Sequence, residues 1–441
     1  MNANKAGFWE DVEAHITDWM QDNEGRTLYG CDFATEATMA ENMGGCWILA
    51  HALLRHRPTP SLKHDMSTQR SSLRNRILAI AQFVNRRTPW LNFIKNRLGL
   101  FRFAEASLLR KLTGDEIESI RSSFCTDYVA RKIKSLRSEG IEQIHFYIFL
   151  VQSIGDIVAN EPIPRYLKSL APTGIVHWIV NQEFQSILES NPIIDEVIPV
   201  RGFAEGEDLC KALSETQANI IVDCHFNGIV FNADRKPHDN PHNPGVNVYT
   251  HYFFGPLLTS FSLAAGLPPL NESPAFHLRP GIQRPDFGTP DYVVFHCRSN
   301  ESARDWNASK WNQLAQALAM KGFTVVEIGT ERVIDAKPNN RIIDYTGNKD
   351  LQELAAIIRD ATLFIGVDSA FGHIANCFKT QSIILLGKYK TFDTYLPYSG
   401  SFPLSEDFTA IRAPTGLPAS KIDYSEVLTS AIAKLSHAIT S

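Results

Sequence analysis

Residues 362–387, TLFIGVDSAFGHIANCFKTQSIILLG, combine two apolar runs with a helical segment between them. The runs at 362–367 and 382–387 are short, apolar and rich in branched residues, which is typical of buried strands. From about Phe371 onward the spacing of apolar positions favours a helix. Two strands joined by a helix predict parallel pairing, because parallel strands need a long connection. The expected fold class is therefore α/β, with a doubly wound parallel sheet.

The same alternation extends towards the N-terminus. Strands are predicted at 292–297, 323–329 and 341–347, with helices at about 309–320 and 350–358. A second set of predicted strands, at 145–152, 174–180, 195–200 and 219–226, also alternates with helical segments. The Pro- and Gly-rich stretch 278–291 separates the two sets and predicts a linker. The sequence thus predicts two Rossmann-like halves that face each other across a cleft.

Length and composition restrict the class of protein. With 441 residues, 44% of them hydrophobic, the chain can bury a large core, and two or three domains are expected. The net charge of -5 argues against a protein that coats nucleic acid, and no nucleic-acid partner is predicted. The seven scattered cysteines form no CxxC pair, which disfavours a disulfide framework or a structural zinc site. The N-terminus lacks the pattern of a signal peptide, and a cytoplasmic location is expected.

Residues 1–140 show helical spacing without strand alternation and are predicted to form a helical extension. Within them, residues 55–111 contain 13 Lys or Arg and two acids, a local charge of +11. Aromatic and aliphatic side chains alternate with the basic ones, which suits peripheral contact with an anionic membrane leaflet. The alternative is that these helices pack on the rest of the protein and expose a basic face. RNA binding is a weaker option, because no RNA-binding motif accompanies the charge.

Strand-to-helix turns carry the candidate site, because ligands of open parallel sheets bind beyond the carboxyl ends of the strands. The turn 366–373 follows a buried strand and opens a helix, so the backbone N–H groups of residues 369–372 are expected to be free for a diphosphate. Arg304, in the loop SNESARDW (299–306), adds a cation with a fork geometry. Asp156, after the first strand, supplies a carboxylate that can take a proton from a hydroxyl.

These residues also have structural interpretations. Asp368 or Ser369 can simply cap the helix, and Asp156 can be the N-cap of the helix that follows it. His373 alone more often packs in a helix than acts as a catalyst, and a lone Arg304 is compatible with a solvated surface. The sequence contains neither GxGxxG nor GxxxxGK[ST], which disfavours a nicotinamide dehydrogenase and a P-loop enzyme.

A second group of possible ligands consists of Cys224, His225, His238 and His242. The two later histidines fall in DRKPHDNPHNPG (234–245), a Pro- and Asn-rich stretch without a helix to fix their positions. A flexible loop on the acceptor side is therefore favoured over a metal site, and no metal ligand is predicted.

Taken together, SIGDIVANEPIPRYLKSLAP (153–172) and the stretch 362–387 resemble glycosyltransferase family 9, whose members include the ADP-heptose:lipopolysaccharide heptosyltransferases. The resemblance covers roughly residues 145–400 and includes NPIIDEVIPV, IIVDCHFNG and ARDWNASKWNQLA. It implies a GT-B fold, with an acceptor domain at 141–285 and a donor domain at 286–441. The helical extension at 1–140 precedes both.

The resemblance also implies roles for individual residues. Asp156 matches the proposed general base, and Arg304 is the second expected catalytic residue. The residues expected to bind the donor are Ser299, Asn300, Glu331, Asp368, Ser369, Ala370, Phe371, Gly372 and His373. Three positions depart from the family pattern: Arg304 stands where Lys is common, Ala370 where Gly is common, and Gly372 where Ser is common.

The implied reaction is inverting transfer of a sugar, expected to be heptose, from an ADP-activated donor to a hydroxyl of lipopolysaccharide or another glycan. No Asp-x-Asp element marks a metal-diphosphate clamp, so metal independence is expected, and no cofactor besides the nucleotide-sugar substrate. Two alternatives remain open from the sequence. One is a heptosyltransferase that modifies a protein, and the other is a non-catalytic module that binds sugar nucleotides.

Overall fold

The computed structural model describes residues 114–125, 127–229, 238–335, 339–388 and 395–440. The basic segment 55–111 and most of the predicted extension therefore lie outside the described residues. At the described end of that extension, helices α1 (Gly114–Phe124) and α2 (Tyr128–Ser138) lie where the sequence predicts helices. The apolar face of α2 packs into the core of the first sheet.

The first sheet has four parallel strands in the order β3-β2-β1-β4. These are β1 (His145–Phe149), β2 (Ile175–Asn181), β3 (Glu196–Val200) and β4 (Asn219–Asp223). The connections contain α3 (Ile154–Ala159), α4 (Pro162–Leu170), a 3-10 helix (Gln182–Ile187) and α5 (Phe203–Leu213), and α6 (Leu257–Ala264) follows β4. The central strand β1 is covered on both faces, which explains its continuous apolar sequence.

The second sheet has six parallel strands in the order β10-β9-β8-β5-β6-β7. The strands are β5 (Tyr292–His296), β6 (Thr324–Gly329), β7 (Ile342–Thr346), β8 (Leu363–Val367), β9 (Ser382–Leu386) and β10 (Phe408–Arg412). The helices are α7 (Ala308–Met320), α8 (Leu351–Arg359), α9 (Ala370–Phe378) and α10 (Tyr424–Thr440). The chain order of strands reverses between β5 and β8, and ligands of doubly wound sheets bind at such a switch point.

Side chains of successive residues in β8 serve different apolar cores. Leu363 and Ile365 pack with α7 and α10, whereas Phe364 faces the core that also holds the first sheet. This two-sided burial is the reason that TLFIGV lacks polar alternation. None of the helices in the described part of the chain combines the length and the apolarity needed to cross a bilayer.

Three features of the fold differ from the sequence prediction. The sequence does not predict α5, which contains Gly206; the glycine is required because a Cβ there would press against the Phe149 ring. It also misses β10, a short strand at the edge of the second sheet. β4 ends at Asp223, three residues before the predicted end, because the Asp223 carboxylate accepts the N–H of His225 and turns the chain.

The segment 271–279 runs between the two sheets and is bound to elements of both. Glu161, next to α4, accepts the N–H of Ala275 at 2.9 Å. On the other side, the N–H of Arg279 donates to Gln352 Oε1 of α8 at 3.0 Å. The described residues thereby belong to one compact unit, in which an N-terminal lobe with the first sheet meets a C-terminal lobe with the second.

Candidate active site

The start of α3 fixes the Asp156 carboxylate. Ser153 is the N-cap, and Asp156 lies at the third helical position. Asp156 Oδ2 accepts the backbone N–H of Ser153 at 3.0 Å and its hydroxyl at 3.1 Å. The first of these bonds is the one in which the third helical residue of a capping box reaches back to the N-cap. The interpretation of Asp156 as the N-cap is therefore wrong. Its second oxygen, Oδ1, accepts no hydrogen bond from the described residues and is available to a hydroxyl of a ligand.

The turn after β8 is braced by side chains from three other segments. Arg304 Nη1 and the Tyr398 hydroxyl each donate to Asp368, both at 3.4 Å. Ser369 Oγ and His296 Nδ1 are hydrogen-bonded at 3.0 Å. Burial lowers the pKa of His296 to about 3, so that its ring is neutral at physiological pH. Asp368 and Ser369 are thus held in place by neighbours from outside α9.

The N-terminus of α9 supplies fewer free donors than the sequence predicts. Ser369 is the N-cap by position, but its side chain makes no capping hydrogen bond. The N–H of Gly372 donates to the Ser369 carbonyl at 3.1 Å, because the first turn of the helix is tightened. Gly372 is therefore not one of the free donors, and the N–H groups of Ala370 and Phe371 remain the candidates for binding an anion.

The loop 299–305 presents Arg304 to this turn. Asp305 closes the loop by accepting the N–H of Ser299 at 2.7 Å and its hydroxyl at 3.0 Å. Arg304 Nη2 donates to Asn300 Oδ1, while Nη1 reaches Asp368. A planar guanidinium can hold two partners at once in this way, which a single ammonium cannot do with the same fixed geometry. Arginine at position 304 is therefore suited to its neighbours.

Small residues bring the two lobes into contact at the site. α3 packs against α9, and Gly155 lies at the contact. A Cβ at Gly155 would lie 3.3 Å from the Ala370 Cα, tighter than most such contacts. Because these helix starts approach so closely, the Asp156 carboxyl of the N-terminal lobe and the Arg304–Asp368 pair of the C-terminal lobe share one gap.

Burial and neighbouring charges set the protonation of the groups in this gap. Burial raises the pKa of Asp156 above its usual value, and Asp368 adds to the increase; the hydrogen bonds from Ser153 and the Arg304 charge oppose it without cancelling it. Burial, assisted by Arg304, lowers the pKa of His373 to about 3. Among the described residues, the site therefore combines a carboxylate of increased basicity with neutral imidazoles and the fixed cation of Arg304.

Gly372 is explained by its contact with Tyr398. A Cβ on Gly372 would overlap the Tyr398 hydroxyl, and Tyr398 is only 2% exposed. The ring cannot move aside, because it packs against His373 and Phe408. A serine at position 372, which the resemblance to family 9 would favour, does not fit beside Tyr398. Glycine at this position therefore goes together with tyrosine at position 398.

The structure gathers most of the residues that the sequence nominates. Those at the gap are Asp156, Asn300, Arg304, Asp368, Ser369, Ala370, Gly372 and His373. Phe371 packs on His296 with the ring centroids 4.5 Å apart, and Ser299 supports the loop. Glu331 is exposed two residues beyond β6 and makes no hydrogen bond to another described residue. Its contact with a ribose, like the other assigned roles, stays a prediction.

Sequence reasoning missed four residues at or near the site: His296, Asp305, Tyr395 and Tyr398. His296 could have been predicted as a site residue, because it is a polar residue at the carboxyl end of a predicted strand. Tyr395 and Tyr398 lie in an irregular segment without periodicity. Burial and the nearby charges of Asp368 and Asp156 raise the pKa of Tyr395.

The four possible metal ligands of the sequence do not form one group. Cys224 directs its thiol to the Val222 carbonyl, and His242 stacks on Tyr128 with the ring centroids 3.7 Å apart. His225 and His238 do meet, but their shared partner is Asp223. The four residues considered together in the sequence are therefore not one cluster, and Asp223, which was not among them, takes the central place.

Comparison with known proteins shows which family the chain resembles. Residues 229–422 match the family model described as glycosyltransferase family 9 (heptosyltransferase). This match covers a little less than half of the chain and includes the turn that follows β8. Lipopolysaccharide heptosyltransferase 3 of Escherichia coli (strain K12) is 36% identical over 110 residues, which cover 22% of this chain and 30% of that protein. The aligned part thus spans less than a third of this relative's length.

One solved heptosyltransferase structure shares the architecture, and a second is among the similar structures. The E. coli ADP-heptose lipopolysaccharide heptosyltransferase II matches with a TM-score of 0.50 and 17% identity, over 67% of this chain and 99% of that one. The E. coli heptosyltransferase WaaC with ADP-2-deoxy-2-fluoro heptose matches with a TM-score of 0.45 and 14% identity, over 66% and 99%. The two parallel-sheet lobes of this chain form a GT-B fold, as the sequence predicts.

Proposed function

We propose that this protein is an inverting glycosyltransferase that moves heptose from ADP-heptose to a hydroxyl of lipopolysaccharide or a related glycan. The observation that supports it most is the shared gap, where the Asp156 carboxyl lies beside the Arg304–Asp368 pair and the start of α9. The sugar and the acceptor follow from the family match and from the aligned relative, whose name is that of a lipopolysaccharide heptosyltransferase.

In the proposed reaction, Asp156 acts as the general base. The hydroxyl oxygen of the acceptor attacks the anomeric carbon of the donor and gives its proton to Asp156 Oδ1. At the same time, the bond from the anomeric carbon to the diphosphate breaks. The raised pKa of Asp156 makes the carboxylate a stronger base than an ordinary aspartate. Attack from the face opposite the leaving group inverts the configuration at the anomeric carbon.

The leaving nucleoside diphosphate gains negative charge, and the C-terminal lobe supplies the compensation. Arg304 is a permanent cation, and the N–H groups of Ala370 and Phe371 lie at the positive end of α9. In other enzymes, one well-placed donor of this kind contributes about 3–4 kcal/mol to the stabilisation of the transition state. We assign the diphosphate to these groups and propose that no metal ion is needed to bind it.

Replacement of Asp156 tests the proposal. We expect Asp156→Asn to lower kcat by about 10²- to 10⁴-fold, because the amide cannot take up the proton, while ADP affinity measured by calorimetry stays unchanged. Sugar transfer from ADP-heptose to lipopolysaccharide core oligosaccharide is followed by mass spectrometry. Asp360→Asn, which changes an exposed aspartate at the end of α8, is the control and should retain full activity.

Other results of the same assay contradict parts of the proposal. Full activity of Asp156→Asn would remove Asp156 from the role of base. Transfer to an autotransporter polypeptide and not to core oligosaccharide would replace the glycan acceptor by a protein. Binding of ADP-heptose without transfer to either acceptor would identify a non-catalytic module. We place the reaction on the cytoplasmic side, with membrane contact through the basic segment 55–111, which lies outside the described residues.

A further inference from the structure

A buried cluster of possible metal ligands lies in the N-terminal lobe, apart from the Arg304–Asp368 pair. Asp223 Oδ1 is 2.8 Å from His225 Nδ1, and Asp223 Oδ2 is 2.7 Å from His238 Nε2. One ligand atom from each of the three residues lies within 4.8 Å of the other two. Their exposed fractions are only 8%, 1% and 9%, respectively. We propose that Asp223, His225 and His238 bind one divalent transition-metal ion.

The backbone holds the three residues in position without a ligand. Asp223 ends β4, and His225 follows two residues later with its N–H bound to the Asp223 carboxylate. His238 returns to the same place because it pairs with the end of this segment: its N–H donates to the Ile229 carbonyl at 2.9 Å, and the Gly228 N–H donates to its carbonyl at 2.7 Å. A site assembled in advance costs less ordering on binding.

The donor set selects the kind of ion. Two imidazole nitrogens and one carboxylate oxygen are the ligands of zinc sites and of two-histidine, one-carboxylate iron sites. Three protein ligands also leave at least one coordination position open for water or another small ligand. The thiol of Cys224 points away to the Val222 carbonyl, so that no soft sulfur ligand joins the set.

Groups around the cluster resemble the outer shell of a metal site. His238 Nδ1, on the other side of the ring, lies 3.8 Å from Glu207 Oε1, and a carboxylate at that nitrogen orients the ring and leaves Nε2 for a metal ion. Glu207 is also within 3.3 Å of Lys211. The Phe149 and Phe203 rings contact His225, with centroids at 4.5 and 4.9 Å, and form apolar walls.

The charges of the cluster also suit a cation. Asp223 is only 8% exposed, and each of its carboxylate oxygens lies within 2.8 Å of one imidazole nitrogen. A divalent ion among these three groups would be attracted by the Asp223 carboxylate and by Glu207, which lies 3.8 Å from His238 Nδ1. Binding would move the proton of His225 from Nδ1 to Nε2 and release the contact of Nε2 with the Val151 N–H, a long hydrogen bond of 3.5 Å.

The rival explanation is a metal-free triad in which Asp223 accepts a hydrogen bond from each ring. To separate the two, the full chain is purified without a polyhistidine tag, stripped with a chelator, and reloaded with Zn²⁺ or Co²⁺. We expect about one ion per chain after gel filtration, a visible Co²⁺ absorption band, and a higher melting temperature with Zn²⁺. Absence of bound zinc and of the Co²⁺ band in the unmodified protein would establish the triad and overturn the proposal.

Variants locate the site. His238→Gln and His225→Gln should each lose most of the zinc, the cobalt band and the zinc-dependent rise in melting temperature. His242→Gln is the matched control, because His242 lies four residues from His238 but stacks on Tyr128 outside the cluster. It should bind as much zinc as the unmodified chain. Equal zinc in His238→Gln and the control would place the ion elsewhere. These measurements need no sugar substrate and are independent of the proposed function.

Discussion

The two oxygens of the Asp156 carboxylate have different surroundings. Oδ2 accepts the N–H and the hydroxyl of Ser153, and Oδ1 accepts no hydrogen bond from the described residues. This division leaves one oxygen for the role of base that we propose. The raised pKa follows from burial, which the hydrogen bonds from Ser153 only partly offset.

The pH dependence of transfer should reveal this balance. Asp156 must be ionised to act as a base, so kcat/KM should fall as the pH drops through its raised pKa. Ser153→Ala removes one hydrogen bond to the ionised form, which raises that pKa further. We expect the acidic limb of the kcat/KM profile to move to higher pH in Ser153→Ala, with little change on the plateau. An unchanged limb would show that another group controls it.

Among individual residues, the turn 366–373 could be predicted because its signals are local: a strand end, small residues and a helix start. Tyr398 could not, because only tertiary packing brings it to Gly372. The grouping of Asp223 with His225 and His238 was missed for a different reason. Alternate residues at a strand end point to the same side, so Asp223 and His225 belong together and Cys224 points away.

At the level of elements, the first turn of α9 depends on its fit to the segment that follows residue 394. Gly372 packs so closely against the Tyr398 hydroxyl that a methyl group at position 372 would overlap it. Tyr398 also donates to Asp368 at 3.4 Å, so the packing of the helix start and the position of the Asp368 carboxylate are linked.

Gly372→Ala should disturb both the packing of the first turn of α9 and the position of the Asp368 carboxylate. We expect the free energy of unfolding to fall by about 1–3 kcal/mol, as in other overpacked sites, and ADP affinity to decrease. Urea unfolding and calorimetry measure the two effects. Tyr398→Phe removes the hydroxyl that the new methyl group meets first, so the double variant should be more stable than the sum of the single effects allows. Additive effects would mean that the two residues are not in contact.

At the level of the whole molecule, the segment 271–279 connects the lobes through buried polar contacts. Glu161 is 4% exposed and accepts from Arg165 at 2.8 Å, from Ala275 at 2.9 Å and from Asn191 at 3.3 Å. Burial alone would raise its pKa, but His277, Arg165 and these hydrogen bonds favour the ionised form and lower it. The carboxylate therefore stabilises the folded chain once the pH exceeds the value at which Glu161 ionises in the unfolded state.

Glu161→Ala should lower the free energy of unfolding by about 2–4 kcal/mol at neutral pH, because Ala275 N–H and Arg165 lose a buried partner. The difference from the unmodified protein should shrink as the pH falls through the lowered pKa of Glu161. Urea unfolding at several pH values measures both quantities. Glu205→Ala removes an exposed carboxylate from a similar i,i+4 pair with Arg201 and should have little effect. Equal losses in the two variants would contradict the role of Glu161.

The two-lobed α/β architecture could be predicted because most strands and helices have a recognisable pattern of apolar residues within a short stretch of sequence. The contact between the lobes could not be predicted, since it depends on residues more than a hundred positions apart, such as Glu161 and Ala275. α5 was missed because its Gly206 satisfies a tertiary contact at the expense of local helix propensity.

The close approach of Gly155 to Ala370 limits how such a protein can be recombined. A hybrid that joins the first half of this chain to the second half of a homologue inherits one side of a contact with no spare volume. A bulkier side chain at either position would push the two lobes apart and move Asp156 away from Arg304. A functional hybrid therefore has to take Gly155 and Ala370 from the same parent.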